Sequence, residues 1–251
     1  MAVPTPIDRA ELEFDNGSFD SAAFAAQALS SWQALAAVID HTLLKPDATR
    51  KQVESLCKEA ARYKFACAMV NPVWASTAAG VLSGTGIPVG AVIGFPFGAS
   101  LVSTLRQEAA ALSRLGVREL DMVIPIGVLK SGNHHAVHHT VHAVTTVAHH
   151  HGALLKVILE TALLSMEERL RGAEIAITAG ADFIKTSTGF GGAGATVADV
   201  ALMRGVAGGR CGVKASEGIR TLAEVKAMLE AGANRIGTSA SVAIVRELGA
   251  E

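Results

Sequence analysis

Two lysines lie inside short apolar runs with the same strand-like build. Lys185 stands in Ala181-Asp182-Phe183-Ile184-Lys185-Thr186-Ser187-Thr188-Gly189, and Lys214 in Cys211-Gly212-Val213-Lys214-Ala215-Ser216. A charged lysine is costly to hold in such a run. Parallel neighbouring strands lie about 4.8 Å apart, and at an effective dielectric near ~20 two ammonium groups at that spacing repel by several kcal/mol. Since roughly 1.4 kcal/mol is one pKa unit, one of the two should fall by roughly two or three units. A lysine neutral near pH 7 attacks carbonyl carbon, so the pair points to Schiff-base chemistry. The competing reading is a pair of structural ion pairs with neighbouring acids. Residue types alone do not say which lysine reacts.

The elements that must position these lysines alternate along the chain. Strand patterns cover residues 38–44, 65–71, 89–95, 117–125, 154–160, 181–187, 212–216 and 235–239. Helical patterns cover 49–63, 73–82, 101–115, 133–150, 166–179, 197–206, 222–230 and 240–248, the first behind an N-cap-like Asp47. Glycine follows Leu115, Ala179 and Ala231, as expected past helix C-termini. Eight strands, each followed by a helix, predict a single α/β domain, a (β/α)8 TIM barrel over residues 35–251. Residues 1–34 read as an extension. Its first twenty or so, rich in Pro, Asp, Glu and Asn, should be loosely ordered, and Phe24, Leu29, Trp32 and Leu35 form the stripe of a short leading helix.

Strand side chains alternate between faces. In the fourth strand Leu120, Met122 and Ile124 form a wholly apolar face, and in the fifth Leu155, Val157 and Leu159 do the same. Those faces should meet the outer helices. Glu119, Asp121, Lys156 and Glu160 then point into the lumen, with Asp40, Thr42, Lys185 and Lys214 beside them. Acids and lysines gathered from five strands mark a functional-site candidate, although Asp121 has a structural alternative as the buried partner of Lys156. Glycine-bearing loops at 188–194, 216–220 and 237–241 end the last three strands. Barrels bind phosphate there on backbone N–H groups, so Gly189, Gly218, Ile219, Arg220, Gly237 and Ser239 are the phosphate candidates. Some of these glycines can equally be tight turns.

A net charge of −1 with 18 % charged residues gives no sign of a nucleic-acid or membrane surface. Cys57, Cys67 and Cys211 have no Cys-x-x-Cys spacing, and an odd number argues against a disulfide framework. With no apolar span or signal segment visible, a cytoplasmic location is expected. His134, His138 and His142, and His135 with His139, recur at helical spacing that can hold Zn²⁺ or Ni²⁺. Their helix follows the fourth strand on the outer layer, so a solvated or subunit-contact face is expected instead, with no metal site. A His-rich, metal-binding, non-enzymatic barrel is the rival reading.

Five segments in order resemble the deoxyribose-phosphate aldolases, a class I aldolase family. They are Ile39-Asp40-His41-Thr42-Leu43-Leu44-Lys45-Pro46, Glu119-Leu120-Asp121-Met122-Val123, Leu155-Lys156-Val157-Ile158-Leu159-Glu160-Thr161, Phe183-Ile184-Lys185-Thr186-Ser187-Thr188-Gly189-Phe190 and Gly212-Val213-Lys214-Ala215-Ser216. The resemblance runs from about Trp32 to the C-terminus. It implies cleavage of 2-deoxy-D-ribose 5-phosphate into D-glyceraldehyde 3-phosphate and acetaldehyde, with the imine on Lys185. It further implies Asp121 and Lys214 as proton relay and Asp40, Thr42 and Lys156 as support. No cofactor is implied. Phosphorylated sugar and aldehydes are the expected partners, with the same chemistry on non-phosphorylated aldehydes as the alternative, and a homodimer or homotetramer is the expected assembly.

Three features depart from the family pattern. Glu217-Gly218 replaces two glycines, so the Glu217 carboxylate must point away or weaken phosphate binding, which predicts a raised KM for the phosphorylated substrate. Met69 stands where many members carry Cys, and a thioether is no Michael nucleophile, which predicts tolerance of enals. The one tyrosine is Tyr63, before the second strand, so a tyrosine tail reaching the site is ruled out.

Overall fold

The computed structural model describes residues 18–251. Most of the N-terminal segment expected to be loosely ordered, residues 1–17, lies outside the described residues. The leading helix is two short helices, α1 (Ser21–Ala28) capped by Asp20 and α2 (Trp32–Ala36) capped by Ser31. Eight parallel strands then close into one barrel in chain order. They are β1 (Ile39–Leu43), β2 (Cys67–Val70), β3 (Val89–Ile93), β4 (Val117–Val123), β5 (Leu154–Ile158), β6 (Phe183–Lys185), β7 (Gly212–Ser216) and β8 (Arg235–Thr238).

The outer layer is α3 (Arg50–Tyr63), α4 (Ala75–Leu82), α5 (Val102–Arg114), α6 (Ile126–Lys130), α7 (His134–His150), α8 (Met166–Thr178), α9 (Val197–Ala207), α10 (Leu222–Glu230) and α11 (Ser241–Glu247). Every expected strand exists; β7 keeps its expected bounds, and the others are trimmed where the backbone leaves the ladder for a loop. Two local expectations fail. The helix after β1 is capped by Thr49 rather than Asp47: the Thr49 N–H and hydroxyl both donate to Gln52 Oε1, at 2.8 and 2.9 Å, which closes a capping box. The short α6 had no periodic signal, because five residues are too few to show one.

The parity argument holds. Leu120, Met122, Ile124, Leu155, Val157 and Leu159 are buried in the main core between sheet and helices. The lumen is divided. Cys67, Met69 and Val92 form a separate apolar wall on β2 and β3, and Gly90 makes room for it, since a Cβ there would lie 2.4 Å from Met69 Cε. The charged residues come from the other strands. Tyr63, buried at the end of α3, donates its hydroxyl to the Glu251 carbonyl. α3 runs back from the mouth, so this contact holds the chain end at the opposite face of the barrel from the glycine loops.

Candidate active site

Register sets the site. Lys185 and Lys214 are direct Cα partners across β6 and β7, Asp121 pairs with Lys156 across β4 and β5, and Lys214 pairs with Arg235 across β7 and β8. All are buried. Four bases thus meet three carboxylates in one lumen. Lys156 Nζ reaches Glu119 at 2.5 Å, Asp121 at 2.9 Å and Asp40 at 3.3 Å. Lys214 Nζ donates to Asp40 Oδ2 at 2.5 Å and Asp121 Oδ2 at 2.7 Å. Arg235 donates to Asp40 at 2.7 Å and Glu119 at 3.3 Å. Lys185 donates to Asp121 Oδ2 at 2.8 Å, and among the described residues that is its one ion pair.

Charge balance singles out one base. With three carboxylates for four bases, the cluster is neutral when one base gives up its proton. Lys185 holds the fewest carboxylates, and Asp121, its partner, is shared with Lys156 and Lys214. Burial lowers the Lys185 ammonium most; Asp121 pulls it up, Lys214 pushes it down, and the outcome is about 8 against an ordinary 10.5. The expected cause was repulsion between the two lysines, and desolvation proves larger. Lys156 goes the other way: burial opposes its charge, but Asp121, Asp40 and Glu119 hold its ammonium well above the usual range. Burial would raise the Asp121 and Asp40 carboxyls, yet the surrounding bases keep both well below the usual carboxylate range.

Other sequence-predicted residues separate by environment. Thr42, half-buried, donates its hydroxyl to the Asp40 carbonyl at 2.9 Å, which supports the β1 backbone under Asp40. Gly237 lies in β8 beside Lys214, and a Cβ there would sit 2.9 Å from Lys214 Cε, so its bareness makes room for the lysine stem. The Arg220 N–H donates to Glu224 Oε2 at 2.7 Å and belongs to the α10 cap. Gly189, Gly218 and Ser239 are exposed at the mouth, with Ile219 buried beneath them. Gly191 faces Glu160, whose carboxylate accepts from the Thr188 N–H at 3.3 Å and from the Thr188 hydroxyl.

Arg235 was not among the site candidates, and Glu119, placed inward with the lumen acids, was given no role. The signal for Arg235 was present: it is a charged residue at an inward position of an otherwise apolar strand. Ser187, two residues past Lys185, keeps a buried hydroxyl without a hydrogen-bond partner. The histidines of α7 lie on the outer layer. His138 and His142 stack at 5.9 Å, and His149 bonds to Asp182 at 2.8 Å. Asp40, Cys67 and Glu119 bring their ligand atoms within 4.8 Å of one another, but Lys156, Lys214 and Arg235 already engage the two carboxylates. A further cation there would face three bases.

Comparison with known proteins gives the family. Residues 34–246 match the family model described as DeoC/LacD family aldolase. The chain belongs to that family. Among its DeoC/LacD relatives, the deoxyribose-phosphate aldolase of Geobacillus sp. (strain WCH70) is 51 % identical over 211 residues, 84 % of this chain and 94 % of the relative. That of Caldanaerobacter subterraneus subsp. tengcongensis is 50 % identical over 214 residues, 85 % of this chain and 93 % of the relative. The solved deoxyribose phosphate aldolase from Aeropyrum pernix, described as a unique tetrameric structure, superposes with a TM-score of 0.84 at 34 % identity, over 91 % of this chain and 96 % of that one. A Schiff-base-forming fructose-1,6-bisphosphate aldolase shares the fold at 19 % identity and a TM-score of 0.59. This DeoC/LacD chain is therefore an aldolase, a carbon–carbon lyase on a TIM barrel.

Proposed function

We propose that the chain reversibly cleaves 2-deoxy-D-ribose 5-phosphate to D-glyceraldehyde 3-phosphate and acetaldehyde through an imine on Lys185. One observation carries the choice of lysine: burial lowers the Lys185 ammonium to about 8, and the one carboxylate it pairs with is shared with Lys156 and Lys214. Neutral Lys185 adds to the C1 aldehyde of the open-chain sugar, and loss of water leaves an iminium that accepts electrons. Removal of the C3 hydroxyl proton then breaks the C2–C3 bond. The electron pair enters the enamine on Lys185, and glyceraldehyde 3-phosphate departs. Protonation at C2 and hydrolysis release acetaldehyde and restore the amine.

Asp121 is a weak base while three ammonium groups surround it. Neutral Lys185 removes one of them, and Asp121 then becomes a better proton acceptor in the step that needs one. Lys214, bonded to the same Asp121 oxygen, is placed to carry that proton on. Asp40, Lys156 and Thr42 hold this pair in position. The apolar wall of Cys67, Met69 and Val92 supports the reading by keeping the lumen poorly hydrated.

The reading extends to the cytoplasm and to a homodimer or homotetramer. Three buried free cysteines fit a reducing compartment, and among the described residues no helix is long and apolar enough to cross a membrane. The Aeropyrum relative's tetramer favours self-assembly. The deciding experiment is borohydride reduction with 2-deoxyribose 5-phosphate, followed by mass mapping. A label on Lys185 that forms in the presence of EDTA is expected; its absence from Lys185 refutes the reading.

A further inference from the structure

Two glutamates at the mouth adopt left-handed backbone, Glu160 at φ 57° and Glu217 at φ 71°. This conformation is uncommon for side chains with a Cβ and is worth a reason. Glu160 has one, since its buried carboxylate ties down Thr188. Glu217 has none of that kind: it is exposed, and its side chain makes no hydrogen bond or ion pair among the described residues. Its carboxylate is instead folded back over the loop after β6, where a Cβ on Gly189 would lie 2.6 Å from Glu217 Oε2. It does not point away.

The backbone on both sides of it is fixed. The Ala195 N–H donates to the Glu217 carbonyl at 3.0 Å, and a Cβ on Gly194 would lie 2.3 Å from that oxygen. Phe190 packs edge-on against Phe95 at 5.4 Å and fixes the loop that carries Gly189. The backbone N–H groups of Gly189, Gly218 and Ile219 donate to nothing among the described residues. This is the donor pattern of an anion cradle, with a carboxylate standing over it. Gly189 is four residues beyond Lys185 and Glu217 three beyond Lys214, so the carboxylate sits at the far end of a sugar chain anchored on Lys185.

We propose that Glu217 sets the tail specificity of this site. It disfavours a phosphate dianion and favours an aldose whose terminal carbon bears a hydroxyl or an ammonium group. The inference rests on the imine at Lys185 proposed above and names the substrate class of that site. A dianion brought to about 5 Å from a carboxylate in a solvent-like dielectric loses roughly tenfold in binding. A hydroxyl at the same place donates to the carboxylate. Arg220 is the basic residue of this loop; its backbone is committed to the α10 cap and its exposed side chain is screened by solvent.

The test is the ratio of kcat/KM for 2-deoxyribose 5-phosphate to kcat/KM for 2-deoxyribose, measured in the wild type, Glu217→Gln and Glu217→Gly. The amide keeps the side chain and its backbone conformation while removing the charge; the glycine removes both. A rise of about tenfold in both variants is expected. An unchanged ratio in both overturns the proposal, and so does a rise confined to Glu217→Gly, which would assign the effect to bulk or backbone. Borohydride trapping of each sugar runs alongside. Label on Lys185 with an unchanged ratio refutes the role of Glu217 and leaves the aldolase reading standing. No label with either sugar overturns both.

Discussion

Replacing Lys214 by methionine tests the electrostatics of the site directly, because methionine nearly fills the same volume without charge. In the wild type four bases share three carboxylates, and Lys185 is the one brought down to about 8. At pH 7 about a tenth of Lys185 is then neutral. Without Lys214, three bases face three carboxylates. Lys185 becomes the partner that Asp121 needs, and its ammonium is stabilised. A full return to 10.5 sets the upper bound: the neutral fraction at pH 7 would be about one in three thousand, a loss of about 300-fold, and the burial that remains keeps the shift below that bound. At pH 10 the same shift costs only about fourfold. The assay is the pH dependence of borohydride trapping on Lys185, with kcat/KM for the aldol cleavage beside it. The expected result is an inflection moved up from about 8 and a deficit that closes as pH rises. Stability gives a second reading. A lysine lowered from 10.5 to about 8 by folding costs roughly 3 kcal/mol below pH 8, and this cost fades between about 8 and 10.5 as the unfolded chain also loses its proton. Wild-type stability should therefore gain a rising component in that window that is smaller in Lys214→Met. A uniform loss of activity at every pH, with the inflection still near 8, would refute this account and leave Lys214 as a proton carrier alone.

Other outcomes follow from the same packing. Gly237→Ala places a methyl 2.9 Å from Lys214 Cε; it should displace Lys214, lower kcat at least tenfold, and cost about 1–3 kcal/mol in urea denaturation. Lys156→Met leaves Asp40, Glu119 and Asp121 short of a buried cation and should destabilise the barrel by about 3–5 kcal/mol, read as a lower denaturation midpoint; a change below ~1 kcal/mol would contradict the ion-pair network. Enals should inactivate the enzyme slowly, since Met69 is a thioether and burial holds the Cys67 thiol well above its usual range, Cys57 at about 11 and Cys211 at about 12. Rapid inactivation by crotonaldehyde with a mass adduct on any of the three cysteines would count against this.

Much of the molecule is legible in the chain, because the relevant forces act over short sequence distances. Alternation of Leu120, Met122 and Ile124 with Glu119, Asp121 and Val123 assigns the faces of β4 before any contact is known. The same rule applied to Arg235 and Ile236 would have added Arg235 to the lumen. Local chemistry is legible only where one residue type is sufficient. Asp47 and Thr49 are both acceptable caps, and the reach of Gln52 decided for Thr49. Gly237 reads as a phosphate-binding glycine on a loop; its neighbour across β7 shows that its missing side chain is space for Lys214.

The sequence by itself determined the eight βα units, the inward acids and lysines, and amine chemistry on a strand lysine. Tertiary structure alone shows that Lys185, the lysine proposed to carry the imine, is lowered to about 8. That lowering depends on how four bases divide three carboxylates, and those seven groups are spread over nearly two hundred residues, from Asp40 to Arg235. It also decided that burial lowers Lys185 more than Lys214 does, and that the Glu217 carboxylate lies over Gly189. Desolvation and charge sharing depend on the closed barrel, and no local pattern in the chain encodes them.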